Sequence, residues 1–181
     1  SFNGLEQELD AILAAWYPGQ RGGDAVADVL FGNYNPAGRL PVTFYSSTNE
    51  LADFEDYNMR AGNGFTYRYY NGDAMYPFGH GLSYTKFKYS NLTVSKTRLN
   101  NTDELFVTIN VKNSGELDGE EVVQLYIKDI ESTTWMPLKQ LRGFERISLK
   151  KGEKKMVEFK LNVSKDLRYY DATKQTYAVE L

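Results

Sequence analysis

The pattern of hydrophobic and polar positions divides the chain near residue 85. Beyond that point apolar side chains recur at every second position in short segments separated by turn residues, which is typical of half-buried strands. The positions predicted to face inward are Leu105, Val107, Ile109, Val111, Val123, Leu125, Ile127, Val157, Phe159, Leu161, Tyr177, Val179 and Leu181. The stretch RISLKKGEKKMVEFKL adds a predicted hairpin with its turn at Lys151–Gly152. Six or seven such strands predict an antiparallel sandwich, and without cysteines the fibronectin III type is favoured over the immunoglobulin type.

The first 45 residues have a different pattern of apolar and polar positions. AILAAWY (11–17) is short and apolar, and it predicts either a buried strand or the end of a helix. DAVADVLFG (24–32) has helical spacing, and Gly32 suits the left-handed residue that ends a helix. RLPVTF (39–44) predicts an extended segment, and Pro41 places it either at a sheet edge or at the start of a strand, because proline cannot donate to a ladder. Residues 1–45 are therefore expected to be a short α/β fragment.

Residues 46–84 are mostly polar and irregular, with many aromatic rings. FTYRYYNGD (65–73) predicts a short extended arm that ends in an Asn-Gly turn. The fold class expected for the whole chain is mainly β. A fibronectin III-like antiparallel β-sandwich over 85–181 is preceded by the α/β fragment and an irregular aromatic-rich connector.

Composition removes several classes of function. The hydrophobic content of 41% and charged content of 25% are ordinary for a globular protein, and no apolar run is long enough for a membrane span. The net charge of −3 argues against nucleic acid as a partner. The absence of cysteine and the single histidine, His80, exclude thiol chemistry and two-histidine metal motifs, and disfavour a serine–histidine triad. No metal site is expected.

Two groups of carboxylates are candidates for acid/base chemistry. Their members are Asp53, Glu55 and Asp56 in one group, and Asp118, Glu120 and Glu121 in the other. Both are interpreted as solvated acids beside turns, because exposed carboxylates are the rule. A calcium loop is excluded because its one-residue alternation of ligands is absent.

The segment YPFGHGLSYT (76–85) is the densest cluster of aromatic, proline and glycine residues. We interpret it as a joint between domains, formed by Tyr76, Pro77, Phe78, Gly79, His80, Gly81 and Tyr84. His80 has two interpretations: a contact near a sugar site, or an imidazole hydrogen-bonded inside the joint. The second is favoured. GHGLS is not a nucleophile elbow, since its serine does not lie between the two glycines.

Four aromatic residues are candidates for stacking on sugar rings: Trp16, Tyr67, Tyr69 and Tyr70. Each has a structural alternative. Trp16 fits a core position at a strand end, and the three tyrosines fit packing at an interface. Arg68 is expected either to stack on a neighbouring ring or to pair with the acidic residues 53–56.

Several motifs in order resemble one known family. These are AILAAWYPGQRGGDAVADVLFGNYNPAGRLPVTF, FTYRYYNGDAMYPFGHGLSYTKFKYSNL, VKNSGELDGEEVVQLYI and LKQLRGFERISLKKGE. From about residue 11 to the end, the chain resembles the C-terminal part of glycoside hydrolase family 3. The resemblance implies a parent enzyme with an upstream barrel, an α/β sandwich and a fibronectin III-like domain. That enzyme would hydrolyse β-linked xylose or glucose with retention, without a metal or organic cofactor. The short spacing between YRYYNG and YPFGHG is more similar to the β-xylosidases than to many β-glucosidases.

The resemblance places both catalytic carboxylates upstream, so no catalytic residue is assigned to this chain, and it is expected to be inactive alone. Its expected role is that of a scaffold whose partners are the barrel and α/β sandwich of the same enzyme. The sandwich is expected to lack its last strand. The compartment stays undetermined, although a secreted or periplasmic parent enzyme fits the family. Two other classes remain open: a carbohydrate-binding module that uses residues 65–76, and a fibronectin-like interaction domain.

Overall fold

The computed structural model of the protein describes residues 8–180, and the chain divides after Tyr84 into two compact units. The first unit contains helix α1 (Gly22–Leu30), strand β1 (Phe44–Tyr45), a 3-10 turn (Thr48–Glu50), helix α2 (Thr66–Tyr69) and strand β2 (Ala74–Tyr76). Strands β1 and β2 pair antiparallel, with Phe44 opposite Tyr76. Much of the unit is held by turns and by contacts between aromatic rings.

Helix α1 agrees with the spacing of its apolar residues. It starts two residues earlier than predicted, at Gly22, which packs so closely on Pro18 that a Cβ would lie 2.4 Å from the proline ring. Gly32 has a φ of +78° and donates its N–H to the carbonyl of Val29, as expected for the residue that ends the helix. Asp24 lies in the first turn and pairs with Arg21.

The prediction of a strand or helix end over residues 11–17 is wrong for this structure. The segment has no regular secondary structure, and its side chains are exposed, including Ile12, Leu13 and Tyr17. A strand needs a partner for its backbone groups, and within the described residues none pairs with this segment. Apolar character alone therefore does not produce a strand here. Of the extended segment predicted over 39–44, only the last residue belongs to a strand, because pairing begins at Phe44.

The extended arm predicted over 65–73 is also wrong, since residues 66–69 form one helical turn. The carbonyl of Thr66 accepts the N–H of Tyr70, and the N–H of Thr66 donates to the Tyr45 hydroxyl at 2.8 Å. Gly64 allows this bend, because its φ is +82° and a Cβ there would lie 2.2 Å from the Tyr69 carbonyl oxygen. The contact between Thr66 and the distant Tyr45 thus outweighs the tendency of the alternating tyrosines to be extended.

The second unit is a β-sandwich, as the alternation predicts. Its strands are β3 (Phe87–Val94), β4 (Glu104–Asn113), β5 (Gly119–Ile127), β6 (Gln140–Leu149), β7 (Lys154–Asn162), β8 (Tyr169–Asp171) and β9 (Thr176–Ala178), with a short helix α3 (Val163–Asp166) before β8. One sheet has the order β3-β4-β7, a second pairs β5 with β6, and β8 pairs with β9, all antiparallel.

The core of the sandwich consists of residues from both sheets. Val111 and Val157 come from the three-stranded sheet, and Val123, Ile147 and Leu149 come from the two-stranded sheet. Leu161 and Val107 are also buried, in agreement with the predicted inward faces of β4 and β7. Tyr177 differs from the prediction, because its ring is 59% exposed and packs edge-on against Tyr170. The prediction for Leu181 lies outside the described residues.

The turn at 150–153 exists, but the predicted hairpin does not. β6 pairs with β5 and β7 pairs with β4, so this turn carries the chain from one sheet to the other. The backbone of Asn113, at the end of β4, replaces the pairing that a hairpin would have made. Its N–H donates to the carbonyl of Glu153, and its carbonyl accepts from Gly152, which has a φ of +77°. Over the described residues, no helix is long and apolar enough to cross a bilayer.

Candidate functional site

The aromatic segment 76–84 is folded onto other residues of the first unit. Residues 77–80 form a turn in which the N–H of His80 donates to the carbonyl of Pro77, and Gly79 has a φ of +82°. Two backbone hydrogen bonds then join this turn to Leu40. The N–H of Gly79 donates to the carbonyl of Leu40 at 2.7 Å, and the N–H of Leu40 donates to the carbonyl of His80 at 2.8 Å. The turn is therefore attached by a short ladder.

The end of the segment is fixed by Asn35. Its Oδ1 accepts hydrogen bonds from the Ser83 hydroxyl at 2.9 Å and from the N–H of Tyr84 at 2.8 Å. The Tyr84 hydroxyl then donates to the carbonyl of Val29 in helix α1 at 2.7 Å. Gly81 lies against the Gly38 backbone, where a Cβ would be 2.3 Å from the carbonyl oxygen. These contacts fix the geometry of residues 81–84 within the first unit.

A row of rings leads from Trp16 to His80. Trp16 lies 6.3 Å from Phe44, Phe44 meets Tyr76 edge-on at 6.4 Å, and Tyr76 stacks on His80 at 5.4 Å between ring centres. Trp16 is 55% exposed and has a φ of +52°, an uncommon conformation for a bulky residue. His80 is thus stacked on a ring within the unit, and Trp16 keeps one half of its surface accessible.

The three candidate tyrosines of YRYY are in different environments. Tyr67 stacks on Phe78 at 4.3 Å between ring centres, which occupies one of its faces. Arg68 lies over the ring of Tyr69 at 5.4 Å, so of the two options expected for Arg68 the structure shows the stacking contact. The rings therefore do not form one open platform.

Tyr70 is the most enclosed of the candidates, at 7% exposure. Its hydroxyl donates to Glu50 in the 3-10 turn, and its ring packs edge-on against Tyr45 at 4.7 Å. Burial of the phenol, followed by the hydrogen bond to Glu50, raises the pKa of Tyr70 to about 12. Tyr70 therefore connects α2 to the 3-10 turn and has little surface left for a ligand.

The carboxylates do not converge on a reaction centre. In the first group, Asp53 and Asp56 accept backbone N–H groups of Glu55 and Asn58, and all the acids are exposed. In the second group, Glu120 pairs with Arg146. Among the described residues no three potential metal-ligating side chains are close enough together to hold an ion.

Two polar residues of the sandwich are buried although the sequence alone does not single them out. Glu121 was expected on the surface but is buried, and its Oε1 accepts a hydrogen bond from the Tyr89 hydroxyl at 2.9 Å. Asn113 has no exposed surface at all. The alternation itself contained the signal, because Glu121 continues the inward face of Val123 and Asn113 continues that of Val111.

The side chain of Asn113 joins three segments of the chain. Its Nδ2 donates to the carbonyls of Leu117 at 2.8 Å and Leu149 at 3.1 Å. Its Oδ1 accepts from the Thr85 hydroxyl at 2.7 Å and from the N–H of Gly115 at 3.2 Å. Every donor and acceptor of the amide is therefore used, which is how a fully buried polar group is tolerated.

Comparison with known proteins gives this arrangement a context. Residues 2–84 match the glycosyl hydrolase family 3 C-terminal domain, and residues 121–181 match the fibronectin type III-like domain. The chain is 47% identical over 172 residues to a xylan 1,4-β-xylosidase of Xylanibacter ruminicola, which covers 94% of the chain and 19% of that protein. It is 40% identical to a periplasmic β-glucosidase of Salmonella typhimurium, over 87% of the chain and 22% of that protein.

Solved structures show the same similarity. A β-glucosidase from Erythrobacter marinus superimposes with a TM-score of 0.83 at 39% identity, over 97% of the chain and 23% of that protein. A β-glucosidase from Kluyveromyces marxianus gives a TM-score of 0.85 at 31% identity, over 98% of the chain and 22% of that protein. The chain spans about a fifth of the length of the relatives it matches. It belongs to glycoside hydrolase family 3 and corresponds to the C-terminal part that is shared by β-xylosidases and β-glucosidases of that family.

Proposed function

We propose that the chain is the non-catalytic scaffold of a retaining β-glycosidase that acts on β-linked xylose or glucose units of plant oligosaccharides. The observation that carries the proposal is the order of the two domain matches, 2–84 followed by 121–181, in a chain that matches a fifth of each relative. A retaining glycosidase needs two carboxylates about 5–5.5 Å apart. Among the described acids of the two candidate groups, Asp53 and Asp56 stabilise turns and Glu120 forms an ion pair instead.

The partners proposed for the scaffold are an upstream barrel and the rest of an α/β sandwich in the same enzyme. The exposed apolar segment around residues 11–17 supports this proposal, because Ile12, Leu13 and Tyr17 would gain burial against a neighbouring domain. In this scheme residues 1–45 complete the α/β sandwich, residues 46–84 connect, and residues 85–181 form the fibronectin-like domain. The segment 76–84 would then be the joint between the two parts.

Xylose is the substrate that we favour. The relative with 47% identity is named a xylan 1,4-β-xylosidase, and the spacing between YRYYNG and YPFGHG points in the same direction. A free-standing carbohydrate-binding module that uses residues 65–76 is less well supported. Tyr70 is buried and Tyr67 is stacked on Phe78, so these rings offer little planar surface to a sugar.

The proposal is tested with aryl β-xyloside and aryl β-glucoside, first on the 181-residue chain alone. We expect no turnover from the chain. In a second arm, the chain replaces the corresponding fifth of the Xylanibacter ruminicola enzyme, and the chimera is expected to retain xyloside hydrolysis. Removal of residues 85–181 from the chimera should then lower its thermal midpoint and its yield of active enzyme.

Two results would overturn the scaffold proposal. The first is turnover by the isolated chain that disappears in the Asp53→Asn variant, which would place a catalytic carboxylate in the loop 53–56. The second is a chimera that keeps full activity and thermal stability without residues 85–181. The matched control is a chimera with Glu131→Gln, an exposed acid in the β5–β6 loop that is expected to change neither quantity.

A further inference from the structure

The first unit contains a pocket of about 290 Å³ that none of the preceding roles uses. Its wall is formed by the end of the segment before β1, by β1 itself, by the 3-10 turn and by β2. Phe44 and Tyr45 are the aromatic residues of the wall, and Leu51 and Met75 are the aliphatic ones. The size is near the lower end of the range for small-molecule sites in proteins, so one sugar-sized ring fits.

The polar part of the wall consists of hydroxyl groups. Thr43, Ser47 and Thr48 line the pocket, and the wall formed by these described residues includes no charged side chain. A site without charges selects neutral ligands, because an ion would lose its hydration without gaining a partner. Aromatic rings combined with hydroxyls suit a molecule that has an apolar face and a polar edge, as a pyranose ring does.

Thr43 provides an independent indication of a ligand. Its hydroxyl oxygen is buried and, within the described part of the chain, has no hydrogen-bond partner. Such orphan groups are uncommon in native proteins. A threonine has one side-chain torsion, and rotation between staggered positions exchanges its hydroxyl with its methyl group. A ligand that offers a hydroxyl can therefore give Thr43 the partner that it lacks.

The wall is held in place before any ligand arrives. The Tyr45 hydroxyl accepts the N–H of Thr66 at 2.8 Å, and the Tyr45 ring packs edge-on against Tyr70. Tyr70 in turn donates to Glu50, in the turn that forms another side of the pocket. The hydroxyl of Ser47 is engaged in capping that turn, where it accepts the N–H of Asn49. A preformed wall lowers the ordering cost of binding.

We propose that this pocket is a binding site for a neutral polyhydroxylated ring, a pyranose that is either a free pentose or the terminal unit of a xylo-oligosaccharide. The site is separate from the tyrosines 67, 69 and 70, and it goes beyond the scaffold role because that role assigns no sugar to this chain. Thr43 and Thr48 would bind ring hydroxyls, and Phe44 and Tyr45 would pack against the apolar face.

The test uses the full chain with ¹³C-labelled methionine methyl groups. Met75 lies in the pocket wall, whereas Met156 is 61% exposed on strand β7 of the other unit and serves as an internal reference. The ligands are xylose, xylobiose and cyclohexanol, a ring of the same size with one hydroxyl. We expect a saturable shift of the Met75 signal with a Kd on the order of millimolar for the sugars, and no shift of the Met156 signal. Xylobiose binding more tightly than xylose would identify an oligosaccharide end as the ligand, and equal affinities would identify a single ring.

Three variants test whether the shift of the Met75 signal comes from binding in this pocket. Thr43→Val keeps the shape of the side chain and is expected to raise the Kd for xylose about fivefold to tenfold. Leu51→Trp should fill the pocket and abolish the Met75 shift, while Leu92→Trp, on the exposed strand β3, should not. Dispersed methionine signals verify that each variant is folded. The proposal fails if no sugar shifts the Met75 signal up to roughly 100 mM, if cyclohexanol binds as well as xylose, or if Thr43→Val leaves the Kd unchanged.

Discussion

Asn113 offers the sharpest test of how the second unit is held together. Replacement by alanine removes an amide that has no exposed surface and makes four hydrogen bonds. The carbonyls of Leu117 and Leu149 and the hydroxyl of Thr85 would lose a partner inside the protein. A buried polar group without a partner costs about 1–3 kcal/mol.

Some of the exposed partners will recover a bond to water, so the four costs do not add fully. We expect Asn113→Ala to lower the free energy of unfolding of the unit by about 3–5 kcal/mol. This is a large part of the roughly 5–15 kcal/mol that a domain usually has. A change of 1 kcal/mol shifts the melting temperature of a domain of this size by about 4–8 °C, so the midpoint should fall by about 12–40 °C.

The assay is urea unfolding followed by the fluorescence of Trp135, in a Trp16→Phe background that removes the signal of the first unit. Asn110→Ala is the matched control, because Asn110 lies three residues earlier on the same strand and points to the opposite face. Its cost should stay below about 1 kcal/mol. A loss of less than about 1 kcal/mol for Asn113→Ala would refute the claim that its hydrogen bonds stabilise the sandwich.

Three further outcomes follow from close contacts and from one shifted pKa. Folding raises the pKa of Tyr70 from 10.0 to about 12, so the neutral phenol contributes stability that is complete below pH 10 and is lost as the pH rises through 12. Solvent around its half-buried carboxylate partner limits this contribution to about 1–2 kcal/mol. Urea midpoints at pH 9 and pH 11.5 measure it, and Tyr70→Phe should reduce the loss of stability between these two pH values by that amount. Gly81→Ala should destabilise the first unit by about 1–3 kcal/mol, because a Cβ meets a backbone carbonyl oxygen at 2.3 Å, whereas Gly19→Ala, with open space around it, should change little in thermal melts. Gly143→Ala places a Cβ 2.7 Å from the Phe159 ring and should cost about 1–3 kcal/mol, which Phe159→Leu should partly offset in a double-mutant cycle; strict additivity would contradict this contact.

The sandwich strands could be predicted because their signal is local. Each strand has one face toward the other sheet, so apolar residues must alternate, as Val107, Ile109 and Val111 do. The end of helix α1 was predictable for the same kind of reason, since Gly32 supplies a backbone conformation that other residues adopt with strain.

Partners of strands and of side chains were not predictable, since they depend on distant residues. The turn at Gly152 is visible in the sequence, but only the pairing of β7 with β4 shows that it connects two sheets. Residues 11–17 have the composition of a strand and form none, because no other described strand pairs with them. In the candidate site, the sequence identifies the aromatic residues that are present. It did not show that Tyr70 is buried against Glu50 while half of Trp16 stays accessible.

The sequence by itself determined the strand and helix periods of this protein, its turn glycines and its family, because these are properties of residues close together along the chain or of their order. The tertiary structure decided which polar groups are buried. Asn113 and Glu121 lie inside because their alternating faces are covered by the other sheet, and Asn113 is tolerated there because residues up to 36 positions away supply its hydrogen bonds. The structure also placed Thr43 in the wall of a pocket. Burial is a property of what covers a residue, and the covering residues are distant in sequence.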